Sequence, residues 1–141
     1  MKSKILLAGV LCLAGLPYTA QAIATMPKPI PPKEVSCLVP ILYAESRGES
    51  IEGIIAIGEA TIARAARKHV SICKLRGVAR RSPPKRLRHY WLAVAKSISN
   101  DMQTPTVGKA DSWNTGKKPA YPGKVTRHIG KHTFYVMAGE L

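Results

Sequence analysis

Acidic side chains are scarce in this 141-residue chain: eight Asp and Glu stand against 22 Lys and Arg, for a net charge of +14. A field of that sign disfavours polycationic partners. It favours polyanions such as nucleic acid, an anionic membrane face or an acidic cell wall. Cysteines are few, at three, and no C-x-x-C unit occurs, so the compact cysteine-rich zinc modules are excluded. No internal repeat occurs, and the eleven Gly and eleven Pro have no collagen-like period. The length rules out a multidomain machine. Charged residues make up 21% and apolar residues 45%, a balance that favours a folded domain over disorder.

Charge is also missing locally. No charged residue occurs between Ile5 and Met26, and Lys2 and Lys4 precede that run. Ala20-Gln21-Ala22 then gives the small-x-small pattern that export peptidases cut after. Residues 1–22 therefore read as a secretory signal peptide. The rival reading is an uncleaved signal-anchor, making transient membrane contact through residues 5–22. Either way the folded part is expected outside the cytoplasmic membrane, in a periplasm or tethered facing it. Export argues against a nucleic-acid partner.

Cysteine use fits this expectation. Removing residues 1–22 takes Cys12 and leaves Cys37 and Cys73, an even count suited to a disulfide in an oxidising compartment. Such a bridge is worth about 3–4 kcal/mol in the chain-entropy model. If the anchor is retained, Cys12 can exchange with that pair as a redox switch.

Beyond the leader, residues 23–35 carry Pro27, Pro29, Pro31 and Pro32 and read as an extended linker. The remainder, residues 36–141, reads as one mainly helical α+β domain of about three helices with little sheet. A first helix runs from about Val35 through Ala44-Glu45-Ser46. A second, capped by Ser50, spans about Ile51 to His69, with Ile51, Ile55, Gly58, Ile62 and Ala66 as its apolar stripe. A third starts at Ser82-Pro83-Pro84 and runs to about Ser99, with Leu87, Trp91, Val94 and Ile98 facing inward. Residues 100–126 read as a long irregular segment, and long loops in small domains are often functional surfaces. His132-Thr133-Phe134-Tyr135-Val136 reads as a short strand.

With so few acids, each can be weighed. Glu45 follows Leu42-Tyr43-Ala44 and precedes Ser46 and a Gly. A carboxyl set among apolar walls holds its proton to higher pH, as a general acid for a glycosidic oxygen must. The ordinary alternative is an exposed helical Glu paired with Arg47.

Tyr43-Ala44-Glu45-Ser46-Arg47-Gly48-Glu49-Ser50, followed by Gly53 and Ile54-Ile55-Ala56-Ile57-Gly58, resembles the cell-wall hydrolases of the SleB type. Arg127-His128-Ile129-Gly130-Lys131-His132-Thr133-Phe134-Tyr135 resembles the terminal block of that family. Glu45-Ser46 is also similar to the Glu-Ser pair of lytic transglycosylases, whose lysozyme-like fold the family is thought to share. Two departures stand out. Ala63 occupies the place of an Asn before Arg64, and Gly77 to Ser82 lacks the Gln of a Q-F-S block.

The resemblance implies cleavage of the MurNAc-GlcNAc glycan strand of peptidoglycan. The family's catalytic acid falls on Glu45, and Glu49 matches the second acid of the motif. Ser46, Arg47, His132 and Tyr135 would then shape the substrate site. Trp113 and Tyr121, in the long loop, are candidates for stacking against sugar faces, with core packing the ordinary alternative. A lytic transglycosylase, which can work with one Glu, is favoured over a two-carboxyl hydrolase. The setting would be phage lysis or wall opening for a conjugation or secretion apparatus.

No cofactor and no metal are expected. His128 and His132 are four residues apart, but no Glu follows His128 as H-E-x-x-H requires, and Gly130 lies between them. The basic run from Lys74 to Arg88 suits an anionic wall polymer, or is simply a solvated face. The rival functions are a non-catalytic wall-binding protein and a metal-dependent amidase or peptidase.

Overall fold

The computed structural model describes residues 29–102 and 105–138. The leader 1–22, Cys12 and the first part of the linker lie outside the described residues. The chain forms α1 (Pro32–Glu45), α2 (Ile51–Arg67), α3 (Arg88–Asn100), β1 (Ser112–Thr115), β2 (Gly123–Ile129) and β3 (His132–Met137). Single 3-10 turns occur at Ile72–Lys74 and Lys85–Leu87. Among the described residues, no helix is long and apolar enough to cross a membrane.

Helix α1 starts inside the segment expected to be an extended linker. Pro32 lies in its first turn, where a missing N–H costs nothing and the fixed φ suits a helix. Pro40 sits mid-helix, and its carbonyl accepts from Arg81 N–H at 2.9 Å. Ser50 caps α2 as expected, accepting from Gly53 N–H at 3.2 Å. The buried face of α2 differs from the expected stripe. Ile51 is 73% exposed, whereas Ile54, Ala56, Ile57, Ala60 and Thr61 are buried. The reason is that α2 packs against both other helices and the sheet, so burial reaches around most of its circumference.

Ser82 caps no helix. Pro83 and Pro84 lead instead into the 3-10 turn at Lys85–Leu87, and α3 starts at Arg88. Trp91, Ala95 and Ile98 of α3 are buried with Leu38, Ile41 and Leu42 of α1 and Ile57 of α2. Tyr43 meets Trp91 edge to face at 5.7 Å. Gly58 allows the close crossing of α2 and α3: a Cβ there would lie 2.7 Å from Ile98 Cδ1.

The sheet is larger than the short strand expected. Both β1 and most of β2 fall in residues 100–126, which were expected to be irregular. The antiparallel order is β1-β3-β2, so β3 is central, and its residues from His132 to Val136 are all buried. β2 is an exposed edge strand with a register break between Val125 and Arg127. Its backbone pairs with β3 while its side chains from Lys124 to His128 are exposed, so no apolar period marks it. β2 and β3 are joined at Gly130-Lys131, with Gly130 at φ +56°. A Cβ on Gly130 would also lie 2.6 Å from Glu49 Oε2.

The Cys37–Cys73 disulfide ties α1 to the turn at Ile72–Lys74, with Cα atoms 5.1 Å apart. Glu34 reinforces the same junction: it accepts from Ser71 Oγ at 2.5 Å and from Ile72 N–H at 2.6 Å.

Candidate active site

Glu45 is the last residue of α1 and is half-buried. The buried residues Ile41 and Leu42 hold the helix end in the core. Ala79 N–H donates to Glu45 Oε1 at 2.7 Å, which fixes one oxygen of the carboxyl. The partner of Glu45 is thus a backbone amide, and the exposed Arg47 turns elsewhere. Its guanidinium lies 5.5 Å from the centre of the Tyr43 ring.

Ser46, expected to shape the substrate site, is buried beside Glu45. It is 1% exposed, and its hydroxyl donates to the carbonyl of Leu42. A serine at a helix end can satisfy a carbonyl of the last turn in this way, and Ser46 does so.

Glu49 and His132 form a buried pair. Their side chains are 4% and 5% exposed, and Glu49 Oε1 lies 3.4 Å from His132 Nδ1. Lys131 Nζ adds a second contact to the same oxygen at 3.2 Å. Gly48, at φ +81°, turns the chain between α1 and α2, and Glu49 N–H donates to Ser46 carbonyl at 3.1 Å. The ring of His132, expected to shape the substrate site, lies against Glu49. His132 opens the central strand, paired with Thr115 of β1 and Ile129 of β2.

Trp113, Tyr121 and Tyr135 converge. With Arg64, Gly77, Ser112, Asn114 and others they line one cleft of about 350 Å³. Tyr121 is 62% exposed and Tyr135 only 2%. Burial pushes the Tyr135 phenol above its ordinary pKa, while the backbone at Ala120 and Tyr121 and the charge of Arg64 pull it down. Trp113 packs against the core and lines the cleft as well. Arg64 NH1 reaches the Gly77 carbonyl at 3.4 Å. The loop carrying Gly77 and Ala79 thus connects the cleft to Glu45. His132 and Tyr135 do not share this cleft, since residues an odd number apart on a strand point to opposite faces.

Two buried acids went unremarked in the sequence. Glu59, 3% exposed in the middle of α2, accepts from Val107 N–H at 3.3 Å. Burial raises its pKa, against lowering hydrogen bonds from Thr106 and Val107. Asp111, 2% exposed, pairs with Arg67 Nε. Scarcity of acids was the available signal for both. Nothing in the local pattern marked Asp111, because its partner is distant in sequence.

His128 and His132 flank a two-residue strand turn and do not share a helix face. Among the described residues, no group of three His, Cys, Asp or Glu side chains is placed to hold a metal ion. Comparison with protein-family models, with characterised proteins and with solved structures finds no match to this chain.

Proposed function

We propose that this chain cleaves the glycan strand of peptidoglycan, with Glu45 as general acid and then base, in an exported lysozyme-like domain. One observation carries the reading: a half-buried carboxyl at the end of a core helix has one oxygen fixed by Ala79 N–H. The same loop borders a cleft lined by three aromatic rings and an arginine. Sugar rings stack on aromatic faces, and the free carboxyl oxygen is the one available to a glycosidic oxygen. The resemblance of residues 43–58 and 127–135 to SleB-type hydrolases supports the same assignment. The Cys37–Cys73 bridge suits a periplasmic setting.

A single-acid mechanism fits best. Glu49, the second acid of the motif, is engaged by Lys131 and His132, and the residues lining the cleft include no carboxyl. Glu45 would give its proton to the glycosidic oxygen as the bond to the anomeric carbon breaks. As a carboxylate it would then take the proton of the sugar's own 6-hydroxyl. That oxygen closes on the anomeric carbon and leaves a 1,6-anhydro end. A hydrolase would instead need a second carboxyl at a defined separation.

The test is mass spectrometry of peptidoglycan digested with the protein and with Glu45→Gln. Anhydro-ended fragments that vanish in the variant support the reading. Reducing ends would replace the transglycosylase by a hydrolase. Freed peptides without glycan cleavage, or no products, would overturn it.

A further inference from the structure

Three consecutive residues hold the loop after Cys73 in place. Ala79 N–H donates to Glu45 Oε1 at 2.7 Å, and Arg81 N–H donates to the Pro40 carbonyl at 2.9 Å. Both amides thus face α1. Between them, Arg80 reaches back to the turn at Ile72–Lys74. Its Nη2 donates to the carbonyl of Ile72 at 2.9 Å and to that of Leu75 at 2.7 Å. The basic run from Lys74 to Arg88 reads as a surface charge, but this one arginine is spent on the protein's own backbone.

A terminal guanidinium nitrogen carries two hydrogens, and both are used here. Arginine keeps its charge at any working pH, so the two charge-assisted bonds do not depend on a titration. The Leu75 carbonyl lies past the end of the 3-10 turn, where the turn offers no donor of its own. Both acceptors are firmly seated. Ile72 and Leu75 are 2% and 1% exposed, and the Cys37–Cys73 bridge and Glu34 join their turn to the start of α1.

We propose that Arg80 is a positioning residue for the reaction assigned to Glu45: its guanidinium anchors residues 79–81 to the buried turn and so holds the Ala79 amide against Glu45 Oε1. The inference rests on the glycan-cleaving reading. Arg80 neither exchanges protons nor meets the glycosidic bond; it acts through one backbone amide. Without it the loop keeps the Arg81–Pro40 bond and the Arg64–Gly77 contact, but Ala79 loses its hold on the turn. The Glu45 carboxyl then rotates more freely and meets the glycosidic oxygen in the right geometry less often. That loss falls on the chemical step, and so on kcat, while the aromatic cleft that sets KM is left as it was.

The experiment compares the wild-type protein with Arg80→Ala, Arg80→Lys and Lys109→Ala. Each is assayed for amide hydrogen exchange by NMR and for cleavage of purified peptidoglycan. Arg80 and Lys109 are exposed, so the three variants leave the core intact and the amides of β3 should stay protected. In Arg80→Ala the Ala79 amide should exchange at least about tenfold faster. Its kcat should fall by a factor of about 10–100 at unchanged KM. Arg80→Lys, one bond shorter, should recover part of both, and Lys109→Ala, which removes the same charge elsewhere, should change neither. Wild-type cleavage with Ala79 exchange unchanged in Arg80→Ala would overturn the proposal. So would faster Ala79 exchange with an unchanged kcat, or a loss confined to KM. A wild-type protein that cleaves no glycan would instead sink the glycan-cleaving reading, and the positioning role would fall with it whatever Ala79 does.

Discussion

Glu49 Oε1 and His132 Nδ1, 3.4 Å apart and both buried, join the turn between α1 and α2 to the first residue of the central strand. The contact spans most of the folded chain. Removing Glu49 leaves the buried His132 ring without this partner, and removing His132 leaves the buried Glu49 carboxyl with Lys131 alone. Glu49→Ala and His132→Ala should therefore each lower thermal stability. The double variant should lose less than the sum of the two, because the single losses share one interaction. Additive losses in a melting series would show that the two residues act independently.

Glu59 makes stability depend on pH in a definite direction. Burial raises the pKa of its carboxyl in the folded chain above that in the unfolded chain. The folded state therefore prefers the protonated form, and its contribution is fully present below the unfolded value of about 4.3. It is lost as pH rises through the higher folded value. Glu59→Gln keeps an acceptor for Val107 N–H and has no proton to lose. The wild-type chain should lose stability relative to this variant as pH rises from about 4 to 7. Parallel melting curves across that range would contradict it.

The motif that marks Glu45 was legible because its surroundings are local: an apolar turn before it and a Gly shortly after. The pairing of Cys37 with Cys73 was legible by elimination. What stayed hidden depends on long-range contacts. β2 reads as loop because an edge strand takes its order from backbone bonds to β3, while Lys124, Thr126 and Arg127 face water. The stripe on α2 was misplaced because periodicity assumes one buried face, and α2 has neighbours on several sides. For Ser46, sequence gives the neighbour Glu45 but not the Leu42 carbonyl that its hydroxyl meets.

The Cys37–Cys73 bridge fixes the start of α1 against the turn at Ile72–Lys74. Reduction should lower stability by about 3–4 kcal/mol, mainly by freeing the unfolded chain. Glu34 holds the same junction through Ser71 and Ile72, so the reduced protein should still fold. Melting with and without a thiol reductant checks this. An unchanged melting temperature would show that the bridge does not constrain the chain in solution.

Tyr121 offers the cleanest probe of the aromatic cleft. Trp113 and Tyr135 also pack internally, so replacing either confounds recognition with folding. Tyr121 is 62% exposed, so its removal should change stability by less than about 0.5 kcal/mol. If its ring stacks on a sugar face, Tyr121→Ala removes a contact of roughly 1–1.5 kcal/mol, close to a tenfold loss of kcat/KM. The loss should appear mainly in KM, since the ring is not placed to exchange protons with the scissile bond. Tyr121→Phe keeps the stacking face and should retain most of the activity, separating ring contact from hydroxyl contact. Full activity in Tyr121→Ala, with peptidoglycan fragments released at the wild-type rate, would take the cleft out of substrate recognition and leave Glu45 to be served by another surface.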